Sequence, residues 1–167
     1  MEKVDFSKYY YDSKYEDQME PVATFTYQAR VLRAFYLFEL ARRYGDIPVP
    51  MKMLSIEEAN SIEKTPFDQV VEFIVSECDE CAAKLPETYI GMLDDEYGRV
   101  TKGFAMAVKS KTLLYAASKL HNPDGDVRKW KRAAQAALDI INLGIYVLDS
   151  GDKVNTTAAP ENVLVRM

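Results

Sequence analysis

The chain has 167 residues, 48% hydrophobic and 28% charged, and 21 basic against 26 acidic side chains leave a net charge of −5. That length suits one domain, and that apolar share fills a core rather than sustaining a disordered chain. The mild acidity excludes the basic face that nucleic acid requires, no stretch reaches the ~18–20 continuous apolar residues of a membrane span, and two cysteines build no disulfide scaffold.

The opening "MEKVDFSKYYYDSKYEDQ" has no apolar core of a signal peptide. Residues 1–23 are polar and tyrosine-rich, without a clean period, and read as an irregular segment. From about Thr24 the pattern predicts a helix, with Val31, Leu32, Phe35, Leu37, Phe38, Leu40 and Ala41 recurring at i, i+3 and i+4. Gly45 can close it in the left-handed conformation, and Pro48 and Pro50 forbid its continuation, so "GDIPVP" is a short extended link.

A second helix is predicted over residues 66–84. Thr65 is its expected N-cap, Pro66 suits the first position, and Val71, Ile74, Val75, Cys78, Cys81, Ala82 and Leu85 form its apolar stripe. "PETYIGMLDDEYG" follows as a loop. A third helix over residues 101–120 is apolar on more than one side and belongs between neighbours. "HNPDGD" is a turn with Asp126 as a candidate N-cap, and a fourth helix runs over residues 127–143 until Gly144 stops it. "IYVL" and "NVLVRM" are β-prone but short. Alanines at 105, 107, 116 and 117, then at 133, 134, 136 and 137, give seams on which helices approach closely.

Helices of this length joined by short turns pack as antiparallel hairpins. The expected fold is all-α, a tetratricopeptide-like stack in one domain over 1–167, with hairpins over 24–148 and an irregular tail over 149–167.

Candidate chemistry is sparse. "CDEC" at 78–81 continues a core stripe, and two cysteines with one histidine are too few for a zinc site, so both cysteines are expected in the core. His121 closes the third helix, where a cation is favoured, with no catalytic partner in the pattern. "LDDE" at 93–96 and "NPDGD" at 122–126 cluster carboxylates, but the spacing completes no calcium loop and selects no acid–base pair. Arg30, Arg33, Arg42 and Arg43 are expected to pair with Glu39, Asp46 or loop carboxylates. No catalytic residue, metal or cofactor is expected.

The tyrosines are the stronger lead. Tyr9, Tyr10, Tyr11 and Tyr15 lie together ahead of the first helix, and an exposed ring offers a flat apolar face and a hydroxyl to a ligand. Loops on a rigid scaffold are where binding resides. Tyr36, Tyr115 and Trp130 are expected to pack against helices.

Four segments in order, "RVLRAFYLFELARRYGDIPV", "FDQVVEFIVSECDECAAKLP", "GRVTKGFAMAVKSKTLLYAAS" and "WKRAAQAALDIINLGIYVL", resemble the SusD/RagB-like proteins, and "RAFYLFELARRYGDIP" resembles them most. The resemblance implies a helical scaffold decorated by long loops, part of a longer outer-membrane lipoprotein of Bacteroidetes. It implies capture of an oligosaccharide for a SusC-like TonB-dependent transporter, without catalysis. The lipid anchor and much of the loop decoration would lie outside these residues. The alternative is an intracellular helical-repeat adaptor for a peptide or protein. A weaker one is a hydrolase using Asp94, Asp95, Glu96, Asp124 or Asp126.

Overall fold

Gly45 takes φ +71°, and its N–H closes on the Ala41 carbonyl at 2.8 Å, so the first helix ends where the sequence places its stop. The computed structural model describes residues 10–11, 15–89 and 98–147, with side chains in that helix described from residue 22 onward. Five helices occur among the described residues: α1 (Tyr15–Tyr44), α2 (Ile56–Ser61), α3 (Phe67–Ala82), α4 (Lys102–Ala117) and α5 (Val127–Asn142). There is no strand among them, only one antiparallel bridge between Ile47 and Thr65. The predicted tail over 149–167 lies outside the described residues.

Two elements differ from the expectation. α1 begins at Tyr15, not near Thr24, and continues through Pro21. Proline removes one donor and usually marks a helix start, but a 30-residue helix tolerates one missing bond. The link after α1 also contains α2, closed by a capping box in which Ser55 and Glu58 each accept the other's backbone N–H. α2 buries nothing, so no apolar period announces it.

α3, α4 and α5 fall on the predicted helices. Thr65 does not cap α3: its N–H donates to the Ile47 carbonyl at 2.8 Å instead. The cap arrives from the end of α1, where Asp46 Oδ1 accepts the Phe67 N–H at 2.8 Å. Thr101 and Asp126 cap α4 and α5 with their own side chains.

α1 packs on α3, α3 on α4 and α4 on α5, and α1 also touches α4. α4 is therefore held between neighbours, as its two apolar sides require. Ala34, Phe38, Ile74, Cys78 and Val108 join α1, α3 and α4 in one cluster, and Val71, Leu113, Ala117, Ala133 and Ala136 join α3, α4 and α5 in another. Five of the eight predicted seam alanines lie in the core. Ala105, Ala116, Ala117, Ala133 and Ala136 are buried, while Ala107, Ala134 and Ala137 face out.

Charge ties the same layers. Glu77 on α3, buried in the interface with α1, accepts from Arg30 Nε at 3.0 Å, Arg30 Nη2 at 2.6 Å and Arg33 Nη2 at 2.7 Å. Arg30 and Arg33 thus find α3, not the predicted Glu39 or Asp46. Arg42 and Arg43 do pair with Glu39, at 2.6 and 3.2 Å. Lys129 and Arg132 of α5 reach Asp68 and Glu72 of α3.

Candidate functional site

Of the four candidate tyrosines, Tyr9 and the side chain of Tyr15 lie outside the described residues. Tyr10 and Tyr11 are 65% and 95% exposed, and their rings meet edge to face with centroids 5.7 Å apart. Two such rings present adjacent apolar faces to solvent at the entry to α1.

A polar network stands on the first turns of α1 whose side chains are described. The Tyr89 hydroxyl accepts from Gln28 Nε2 at 3.0 Å and shares a hydrogen bond with Thr24 Oγ1 at 3.1 Å. Tyr89 is buried, and the Arg99 guanidinium lies 4.9 Å over Phe25 and 5.9 Å over the Tyr89 ring. The chain before α4 is thereby fastened beside the N-terminal part of α1, the end that the tyrosine segment precedes. Sequence reasoning missed this cluster, because Tyr89 stands in a segment with loop composition.

α1 carries a further aromatic surface. Leu32, Tyr36, Leu40 and Tyr44, each four residues apart, are 39%, 64%, 44% and 71% exposed. Tyr36 therefore does not pack into the core as expected. The core of α1 is the adjacent stripe of Val31, Ala34, Phe38 and Ala41. Tyr115 does pack, edge to face on Phe38 at 5.2 Å.

At the other end of the stack an open groove of about 250 Å³ is lined by Arg42, Leu114, Tyr115, Ser118, Leu120, His121 and Trp130. Trp130 is half exposed here and anchors no core, contrary to expectation. His121 stacks flat on Phe67 at 3.6 Å, and burial pushes its pKa below the ordinary value, against the helix-terminal cation the sequence suggests. A smaller groove of about 210 Å³ lies between α3, α4 and α5, with Lys109 paired to Asp79 at 2.6 Å along its wall.

The remaining candidates resolve into structure. Cys78 and Cys81 are buried, as predicted, and burial pushes the Cys78 thiol up to about 12 and raises Cys81 as well. Asp126 caps α5, and Asn122 ties the turn by donating to the Asp126 carbonyl and accepting its N–H. "LDDE" lies outside the described residues. Among the described residues no group of three or more His, Cys, Asp or Glu could hold a metal ion. No described helix is long and apolar enough to cross a membrane.

No family model matches the chain. It is similar to SusD-like protein P2 of Formosa agariphila, with 30% identity over 128 residues, which is 76% of this chain and 22% of that protein. Among solved structures it is similar to a SusD-like carbohydrate binding protein of Bacteroides fragilis. The identity is 30% and the TM-score 0.64, over 78% of this chain and 23% of the other. A SusD homolog of Bacteroides thetaiotaomicron shares the fold, with 24% identity and a TM-score of 0.65 over 80% of this chain and 25% of the other. The chain thus spans a quarter or less of the length of these relatives.

Proposed function

Starting from a chain that is SusD-like in sequence and in fold, we propose that it is scaffold and part of the ligand surface of a glycan-binding protein. The observation that carries this is the 30% identity to a solved SusD-like protein described as carbohydrate binding, with the same helical stack. Tyr9, Tyr10, Tyr11 and Tyr15 are the proposed contact residues. Their rings would lie against the C–H face of a sugar, with hydroxyls bonding to its own hydroxyls. Tyr10 and Tyr11, exposed and adjacent, have the accessibility that this requires.

The work is binding, not bond cleavage. A rigid stack of hairpins holds loops in place, and preformed loops lower the ordering cost of capture. The rest of the proposal concerns the longer protein. It stands at the outer-membrane surface on a lipid anchor placed before these residues, and it passes an oligosaccharide to a SusC-like TonB-dependent transporter.

The test is affinity electrophoresis of the chain through gels containing a panel of polysaccharides, followed by calorimetry with oligomers of whichever retards it. Replacing Tyr10 and Tyr11 together by alanine is expected to weaken binding at least ~10-fold, which is about 1.4 kcal/mol. The helical circular-dichroism signal should not change. Retardation that the double variant leaves intact removes the tyrosines from the site. A folded chain that no polysaccharide retards sinks the reading for these residues.

A further inference from the structure

α1 outreaches the core that holds it. Its 30 residues make a rod about 45 Å long at 1.5 Å per residue. Its buried side chains, Val31, Ala34, Leu37, Phe38 and Ala41, all fall in the second half, and none from residue 22 to residue 30 is buried. Pro21 leaves a gap in the hydrogen-bond ladder of the first half. Helices in proteins are stabilised more by packing than by propensity. A half-helix with a missing bond and little buried surface therefore needs lateral support to keep one direction.

The chain between α3 and α4 supplies that support as a clasp. Its two arms close on each other where the Lys102 N–H donates to the Pro86 carbonyl at 2.9 Å and Lys102 Nζ pairs with Glu87 at 3.2 Å. Leu85 from one arm and Val100 from the other are buried with Val31, Cys81 and Ala105, which roots the clasp in the core. Further out on the arms, Tyr89 and Arg99 reach α1. They meet Thr24, Phe25 and Gln28, which share one side of the helix and begin within a turn of Pro21. The clasp thus grips α1 ahead of its buried stripe, next to the gap in its ladder.

We propose that Tyr89 and Arg99 are positioning residues for ligand capture. The clasp fixes the direction of the N-terminal half of α1 and so presets the exposed Tyr10–Tyr11 pair, which stands just ahead of that end of the helix. Neither Tyr89 nor Arg99 touches the ligand in this scheme. On an unbraced helix end the pair would have to be ordered at each capture; on a braced one that freedom is already given up in folding. A clasp that only added stability to the stack would, when broken, loosen every helix alike. The proposal rests on the glycan reading for its ligand, and on the contacts above for the brace itself.

Two variants separate the parts of the clasp. Tyr89→Phe keeps the ring and removes the hydroxyl; Arg99→Met keeps the stem and removes the cation. Backbone hydrogen exchange tests the brace without any ligand. In both variants the amides of residues 19–30 are expected to exchange at least ~10-fold faster, with those of α5 unchanged. The ligand part is read by calorimetry with an oligomer of the polysaccharide that retards the parent. Each substitution should weaken binding about 5-fold, the size of one net hydrogen bond. Arg99→Lys, which keeps a cation for Phe25, should lose little. In a Tyr11→Ala background neither substitution should weaken binding further. Exchange that is unchanged in α1, or that rises equally in α5, overturns the brace. Faster exchange in α1 with affinity unchanged, or with the same loss when Tyr11 is absent, overturns the positioning role. A parent chain that binds no oligomer overturns the glycan reading and the ligand part with it, while exchange still decides the brace.

Discussion

Replacing Glu77 by alanine is expected to lower stability by about 2–3 kcal/mol, read as a shift of the urea midpoint. Removing one partner of a buried ion pair costs ~3–5 kcal/mol, because the other charge stays behind unpaired. Here two guanidiniums lose their acceptor. Arg30 keeps Glu80 at 2.6 Å, but Arg33 has a buried Nε that already lacks a partner. Both arginine side chains are about a third exposed or less, at 27% and 34%, so they turn partly to water, which brings the effect to the lower edge of that range and below it. The sign with pH follows. Hydrogen bonding to Arg30, against the opposing effect of burial, holds the Glu77 carboxyl below its ordinary value of 4.5. The stabilisation is therefore complete above that value and fades as pH falls through the lower, folded-state pKa. Glu77→Gln keeps the shape without the charge, and its stability should fall less steeply below pH 4.5 than that of the parent. Parallel acid slopes for the two proteins would show that Glu77 contributes nothing through its charge.

Gly103→Ala should destabilise the chain by about 1–2 kcal/mol, against the direction that helix propensity gives. In a helix alanine is preferred to glycine by ~0.8–1.0 kcal/mol. At Gly103, in the first turn of α4, a Cβ would overlap the Tyr146 hydroxyl and lie 2.7 Å from the ring carbons Cε2 and Cζ. Tyr146 stands just beyond the Gly144 stop, so the missing side chain is what lets the segment after α5 lie against α4. Overpacking of this kind costs ~1–3 kcal/mol unless the ring leaves. The clean measurement is a double-mutant cycle with Tyr146→Ala. In that background the same Gly103→Ala change should become stabilising. If it stabilises the parent too, the ring is not held there.

The fold was legible where periodicity and end signals agree. α3, α4 and α5 combine an apolar stripe with a stop or cap within a few residues, and each lies where the pattern places it. Non-local choices were not legible. Pro21 argues locally for a helix start, yet α1 runs through it; Asp46 caps α3 from 21 residues away. The tryptophan of α5 and Tyr36 of α1 have core composition, but which face of a helix is covered depends on the neighbours that pack there. The same holds for Arg30 and Arg33, whose acceptor is 47 and 44 residues distant. Of the candidate site, the exposure expected for a ligand-contacting tyrosine is present at Tyr10 and Tyr11. The Thr24–Gln28–Tyr89 network was invisible because each member is unremarkable in its own segment.

The two thiols of α3 sit three residues apart yet belong to different clusters. Cys78 packs with Ala34, Phe38 and Val108, and Cys81 with Val31, Leu85, Val100 and Ala105. Each is shielded and held protonated, so a thiol reagent reacts only in molecules that have transiently opened around it. Where reclosing outpaces alkylation, the labelling rate divided by that of a free cysteine gives the opening equilibrium. Singly substituted Cys78→Ala and Cys81→Ala chains would then clock the two neighbourhoods separately. Equal rates would mean that the stack opens as one cooperative unit. A faster rate at Cys81 would mean that the Val100 side loosens first, leaving the α1–α3–α4 centre closed.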